Sequence, residues 1–156
     1  TTPGLRIFEK YAFKCGGGVN HRMGLYDAAM IKENHIAWTD NLKNAVQKIR
    51  LNSPFTTHII IEAENIEQAK EAVLAGADSV LLDELSPEII KKNVQELRDL
   101  SMNSLKKEVN KNLIIEVSGI NPEEISKYLI KGIDLISTSS SITKSNWIDL
   151  SMRYIN

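Results

Sequence analysis

Residues 58–85 read HIIIEAENIEQAKEAVLAGADSVLLDEL, and the order of patterns in that stretch sets the fold class. The opening apolar run is short and dominated by isoleucine, which predicts a buried strand. NIEQAKEAVLAG follows with helical spacing, Asn65 placed as N-cap and Gly76 as stop. DSVLLDE is a second apolar strand. A strand, a helix and a strand in succession predict a parallel pair joined by a right-handed crossover.

The same alternation extends both ways. Upstream, LRIFEKYAFK is helical, GLYDAAMIK ends in a short strand closing at Lys32, and TDNLKNAVQKIRLN is a helix with Thr39 or Asp40 as N-cap. Downstream, SPEIIKKNVQELRDL begins with Ser86 as N-cap, Pro87 at the first helical position and Glu88 behind it. NLIIEVSG is a further strand, and NPEEISKYLIKG repeats the cap, proline, acid and glycine-stop pattern as a helix. IDLISTSSS is a last strand entering a serine-rich turn, and WIDLSMRYI is a short amphipathic piece. Residues 101–112, SMNSLKKEVNKN, read as a helix tail and a surface connection. Strands this apolar have both faces covered. The pattern predicts an α/β fold with a parallel sheet, as either a (β/α) barrel or an open doubly wound sheet.

Composition narrows the function classes. The chain has 156 residues, 42% hydrophobic and 25% charged, with a net charge of −1. That balance suits one globular domain and offers no basic field for nucleic acid. No apolar run has membrane-spanning length, and no signal-peptide pattern opens the chain. Cys15 is the only cysteine, so no internal disulfide forms; it is expected as a small packed residue in a protein of a reducing compartment. His21, His35 and His58 lack the spacing of a zinc site. His35 either lines the strand-end mouth or caps the next turn, while His58 lies at a strand start, the structural end. Trp38 and Trp147 are expected as packing or interface residues.

Polar residues gather at the strands' C-terminal ends. Lys32 closes one, Glu62 and Glu64 the next, then Asp83 and Glu84, then Ser118 and Gly119, then Ser139, Ser140 and Ser141. Parallel α/β folds bind ligands at that end. Glu62 and Asp83 suit Mg²⁺ or a developing positive charge. Lys32 and Arg22 suit an anionic substrate, and the two serine turns suit phosphate. The glycine run in CGGGVNHRMGL (15–25) follows a helix rather than a strand, so it is not a phosphate loop. Its expected task is to end the helix and deliver Asn20, His21 and Arg22 to the mouth.

Three stretches besides the opening one carry a family resemblance. TTPGLRIFEKYAFKCGGGVNHRMGLYDAAMIKENHI, EVSGINPEEI and GIDLISTSSSITKSNWIDLSMR, with EAENIEQAKEAVLAGADSVLLDELSPE, resemble the barrel domain of quinolinate phosphoribosyltransferases over nearly the whole chain. The resemblance implies phosphoribosyl transfer from phosphoribosyl pyrophosphate to quinolinate, with Mg²⁺, giving nicotinate mononucleotide, pyrophosphate and CO₂ in NAD biosynthesis. It implies a cytoplasmic homodimer, or a hexamer of such dimers, in which the partner's N-terminal domain closes the mouth. Residues 1–156 would then be one barrel-type catalytic domain, open or incomplete. On this reading it is an excerpt of a two-domain chain, lacking its first strand and an N-terminal α/β sandwich. By motif, His21 and Arg22 fall on quinolinate-carboxylate positions and Lys32 on a substrate-contacting lysine. Glu62 and Asp83 fall on the acids near ribose and metal, with Lys32 the catalytic residues implied. Ser118 and Gly119 match one phosphate loop, and the turn with Ser139 and Ser140 a second. Departures are Ser139 or Ser140 where relatives often have Gly, Ser-Gly-Ile-Asn where many have Ser-Gly-Gly, and Ile60 where relatives often have an acid. The alternatives are a related phosphoribosyltransferase associated with molybdenum transport and a non-catalytic module that binds a phosphorylated ligand.

Overall fold

The computed structural model describes residues 1–39, 41–105 and 112–155. Helix α1 (Arg6–Cys15) precedes β1 (Ala28–Ile31), α2 (Glu33–Ala37), α3 (Leu42–Asn52) and β2 (His58–Ala63). Then come α4 (Ile66–Ala75), β3 (Ser79–Asp83), α5 (Pro87–Leu105) and β4 (Ile114–Ser118). A 3₁₀ helix (Pro122–Tyr128), β5 (Leu135–Ile136) and α6 (Ser140–Thr143) complete the order.

The five strands form one all-parallel sheet in the order β1-β2-β3-β4-β5. Sequential order decides between the two architectures left open by the sequence. A doubly wound sheet reverses its strand order at a switch point; this one never does. Crossovers of one hand then place the helices on one face, which is the arrangement of an open barrel arc.

The two faces differ as the period of two requires. Ile59, Ile61, Val80, Leu82, Ile115 and Val117 point to the helices and are fully buried with Ile90 and Leu97 of α5. Each such side chain contributes about 1.5–3 kcal/mol. The opposite, inner face carries a small apolar floor of Ala28, Ile60 and Leu81, with Met30 against it. Above that floor the register aligns Glu62 with Leu81, Leu81 with Glu116, and Glu116 with Leu135. Asp83 and Ser118 pair one step nearer the strand ends.

The strand feet are fastened by a repeated device. In Gly76-Ala77-Asp78 the Asp78 carboxylate accepts the Ile59 N–H at 2.8 Å and meets Arg50 of α3 at 2.6 Å. In Gly132-Ile133-Asp134 the Asp134 carboxylate accepts the Ile115 N–H at 2.7 Å and meets Arg98 of α5. Each aspartate thus ties the first amides of the preceding strand to a helix on the outer layer.

Several expectations are corrected in detail. The cap of α3 is Asn41, whose side chain accepts from the Asn44 N–H at 3.1 Å, while Thr39 donates to the Asn41 carbonyl. Asp40 lies outside the described residues, as do residues 106–111 of the expected connection, and α5 itself runs to Leu105. The segment 121–132 forms a 3₁₀ rather than an α-helix, since only a short span separates the Asn121 cap from the return to β5. Strand β5 is only two residues, although Asp134 and Ser137 extend its pairing by bonds of 2.9 Å to Ile115 and Val117. The apolar piece 147–155 has no helix or strand, and Trp147, Ile148, Leu150 and Tyr154 are exposed. A short helix without a packing partner is marginal in water. Cys15 is exposed rather than packed, and Trp38 does not pack within the chain, which corrects one of its two expected roles. Among the described residues no helix is long and apolar enough to cross a membrane.

Candidate active site

The glycine run ends α1, as its place after a helix predicts. Gly16 caps α1, Gly17 takes φ 89°, and the Gly18 N–H returns to the Phe13 carbonyl at 3.0 Å. A Cβ on Gly18 would lie 2.3 Å from the Phe13 ring, so a larger residue there would have to displace that ring. The chain then runs back along α1, where Lys10 holds it. Lys10 Nζ donates to the carbonyls of His21 at 2.7 Å and Arg22 at 2.8 Å, and Asn20 Nδ2 donates to the Lys10 carbonyl at 3.0 Å. Burial, helped by the nearby Arg6 charge and opposed by Asp27, lowers the Lys10 pKa.

This latch sets two side chains. Arg22 Nη1 donates to the Ala28 carbonyl at 2.7 Å, which leans the guanidinium on the start of β1. His21 Nδ1 accepts the Arg22 N–H at 2.9 Å, so the ring carries its proton on Nε2. That Nε2 lies 3.4 Å from Glu116 Oε2 on the inner face. A cavity of about 320 Å³ opens here, lined by Arg6, Lys10, His21 and Arg22 among others. A second, of about 150 Å³, shares Lys10 and His21 and reaches Thr138 and Ser139. A further cavity, about 680 Å³, lies between the glycine run and α6 and is lined by no strand-end carboxylate among the described residues.

The strand-end residues form pairs. Lys32 Nζ meets Glu62 Oε2 at 2.7 Å, with the carboxylate largely buried and the ammonium half exposed. Ser118 Oγ donates to Asp83 Oδ1. Glu62 and Asp83 stand on neighbouring strands but two residues apart in register, since Glu62 aligns with Leu81. His35 takes the second of its two expected roles: its Nδ1 accepts the Lys32 N–H at 3.1 Å and caps α2, a helix the sequence reading missed. His58 Nε2 and Ser79 Oγ are 2.6 Å apart near the strand feet.

Two loops meet back to back behind Ser118. Gly119 has φ 73°, Glu84 has φ 52°, and the Glu84 N–H donates to the Ser118 carbonyl at 3.3 Å. A Cβ on Gly119 would lie 2.6 Å from Glu84 Cγ and 3.2 Å from Glu84 N. Gly119→Ala is therefore expected to cost about 1–3 kcal/mol, measured by urea unfolding, because strain and contact act together. An unchanged midpoint would show that the two loops part freely. The serine turn is not a bare turn: Ser139 precedes α6 and Ser140 opens it. Thr138, which the sequence reading passed over, donates to the Ile120 carbonyl at 3.2 Å and accepts the Ser140 N–H at 3.1 Å. It joins the two serine turns.

Glu116 is the other residue missed, although it stands as a lone charge inside the apolar run LIIEV. It is 3% exposed, and its Oε1 has no hydrogen-bond partner among the described residues. Burial pushes its carboxyl upward, but bonding toward His21 and Ser137 and the charges of His21 and His58 outweigh that and hold it below its ordinary value. Its favourable contribution is present above its unfolded-state pKa and fades as pH falls through the folded one.

Glu62 and Asp83 are the strand-end acids that could hold a cation. Among the described residues each carboxylate has one oxygen engaged within the chain, Glu62 Oε2 by Lys32 and Asp83 Oδ1 by Ser118. No group of three or more His, Cys, Asp or Glu converges among the described residues. Such a site suits an ion that takes one or two carboxylates and fills its other positions with phosphate and water.

Comparison with known proteins agrees in sequence and in shape. Residues 1–153 match the family described as quinolinate phosphoribosyl transferase, C-terminal domain. A probable nicotinate-nucleotide pyrophosphorylase [carboxylating] of Methanothermobacter thermautotrophicus is 41% identical over 153 residues, covering 97% of this chain and 52% of the relative. The corresponding enzyme of Dictyostelium discoideum is 36% identical over 98% of this chain and 48% of its own. The structure of the nicotinate-nucleotide pyrophosphorylase from Francisella tularensis superposes with a TM-score of 0.78 at 36% identity, covering 97% of this chain and 49% of that one. The chain thus spans about half the length of the relatives it matches.

Proposed function

Since the chain belongs to the quinolinate phosphoribosyl transferase C-terminal-domain family, we propose that it supplies the barrel part of an active site. The reaction joins quinolinate to phosphoribosyl pyrophosphate with loss of pyrophosphate and CO₂. The observation that carries this reading is the pairing at neighbouring strand ends, Lys32 with Glu62 and Ser118 with Asp83, while Arg22 is held at the start of β1 by the Ala28 carbonyl.

Each group has a task in that chemistry. Arg22 and Lys32 are the cations for the two carboxylates of quinolinate, and they hold its ring nitrogen in line with the anomeric carbon. His21, latched beside Arg22, shapes the same carboxylate site. As the bond from C1 to pyrophosphate breaks, positive charge grows on the ribose, and the Glu62 and Asp83 carboxylates stabilise it. The ring nitrogen supplies the electron pair of the new bond. The resulting pyridinium then accepts the pair released when the neighbouring carboxylate departs as CO₂, and a proton takes its place. Ser118, Gly119, Ser139 and Ser140 offer hydroxyls and backbone N–H groups to phosphate oxygens. Mg²⁺ held by Glu62 and Asp83 would offset the charge of the leaving pyrophosphate.

Two wider features belong to the same reading. The assembly is a homodimer, or a hexamer built from it, in which a partner's N-terminal domain adds cations to the mouth. The compartment is the reducing cytoplasm, in keeping with one unpaired Cys15.

The test is Arg22→Ala in the full gene product, assayed by quinolinate-dependent CO₂ release. Loss of one charge-assisted carboxylate contact is expected to lower kcat/KM for quinolinate roughly tenfold to a hundredfold, mostly through KM. Unchanged constants would remove Arg22 from the substrate site. Absence of quinolinate-dependent CO₂ from the unaltered protein would remove the reaction itself.

A further inference from the structure

Resting on the reading of the His21–Arg22 loop as the carboxylate site, we propose that Glu116 is its positioning residue, setting the His21 ring from beneath the mouth and, through the ring, the direction of Arg22.

The place of Glu116 in the strand makes a passive role hard to sustain. It points to the inner face in the row that also holds Leu81 and Leu135. An apolar side chain would fill that place without the desolvation that a buried carboxylate suffers. Its oxygens are unequal. Oε2 faces His21 Nε2 at 3.4 Å, while Oε1 is buried with no hydrogen-bond partner among the described residues. A carboxylate placed only for stability would be expected to have both oxygens satisfied.

The connection onward is short. The His21 ring is held at both nitrogens, Nε2 toward Glu116 and Nδ1 by the Arg22 N–H at 2.9 Å. Turning the ring about its own bonds therefore moves the Arg22 amide, and Arg22 reaches the Ala28 carbonyl with only one of its nitrogens, Nη1, among the described bonds. Glu116 does not line the cavity that Arg22 and His21 line, so its influence there passes through the ring. Lys10 fixes the backbone of the loop from the other side through the two carbonyls. Backbone and side chain are thus held separately, and Glu116 governs the second. His58 and Ser137 are the other groups that bear on the carboxylate, from β2 and from the residue after β5.

The experiment compares Glu116→Gln and Glu116→Asp with the unaltered full gene product, and repeats Glu116→Gln in a His21→Ala background. Nitrogen-15 shifts of the His21 ring are read first, because they need no activity. The unaltered protein is expected to show one fixed ring with the Nε2–H tautomer that the Arg22 N–H sets, and Glu116→Gln to keep the tautomer but shift and broaden the Nε2 signal as the ring loosens, with Glu116→Asp intermediate. KM for quinolinate is expected to rise about tenfold in Glu116→Gln while KM for phosphoribosyl pyrophosphate holds. The rise should vanish in the His21→Ala background. An unchanged ring spectrum in both single variants overturns the proposal, as does an equal KM effect with and without His21. A protein that shows the ring change but no quinolinate-dependent turnover in any form keeps the positioning role and refutes the reaction assigned to the site.

Discussion

Glu62→Gln is expected to lower kcat roughly 10²–10³-fold with little change in KM for either substrate. The carboxylate sits largely buried at the end of β2 and is paired with Lys32. In the proposed reaction its charge matters most when the ribose becomes cationic, a condition met in the transition state and not in the bound substrates, so its loss falls on kcat. Glutamine keeps the shape and one acceptor oxygen for the Lys32 ammonium. Fold stability should stay within about 1 kcal/mol, because the other end of that pair is half exposed. A variant that keeps kcat but binds quinolinate poorly would show that Glu62 serves only to hold Lys32.

Asp78→Ala is expected to remove about 3–5 kcal/mol, a large share of the roughly 5–15 kcal/mol typical of a domain. The carboxylate is buried, meets Arg50 at 2.6 Å and accepts the Ile59 N–H at 2.8 Å. The backbone of the same residue donates to the Ile59 carbonyl at 2.9 Å and accepts the Ile114 N–H at 3.0 Å, so one residue touches the feet of three strands. Alanine keeps the backbone bonds but leaves a buried amide and a half-buried guanidinium without their acceptor. Urea unfolding should show a lower midpoint at unchanged slope. Asp134→Ala should cost less, because that carboxylate is far more exposed. A loss below about 1 kcal/mol for Asp78→Ala would mean that water replaces the carboxylate at the strand feet.

The sequence carried the strand and helix order because period and caps are local. Asn65, Ser86 and Gly76 act within a few residues of themselves, and their bonds and turns stand where the pattern put them. Sequential strand order was not legible, since barrel and doubly wound sheets share one local alternation; pairing is a long-range property. The strand-end cluster was legible because parallel topology sends every strand's end to the same side. The partners within it were not. Asp83 meeting Ser118 depends on register between β3 and β4, and Lys32 meeting Glu62 on register between β1 and β2. Glu116 was hidden by its neighbours, since an apolar strand reads as core even when one of its residues turns a charge inward. Trp147 and the residues after it form no helix or strand, because a short amphipathic pattern does not fix local structure without a surface to pack on.

The Gly-x-Asp fastening at the strand feet has a consequence for how such a chain can vary over generations. Asp78 and Asp134 hold the sheet from one end, whereas Glu62, Asp83 and Ser118 stand at the other, and none of the bonds described above joins the two sets. Changes at separated positions with no shared partner combine nearly additively. A lineage can therefore alter the strand-end residues without loosening the foundation, and can harden the foundation without disturbing the strand ends. Selection acts on the two ends as on separate traits.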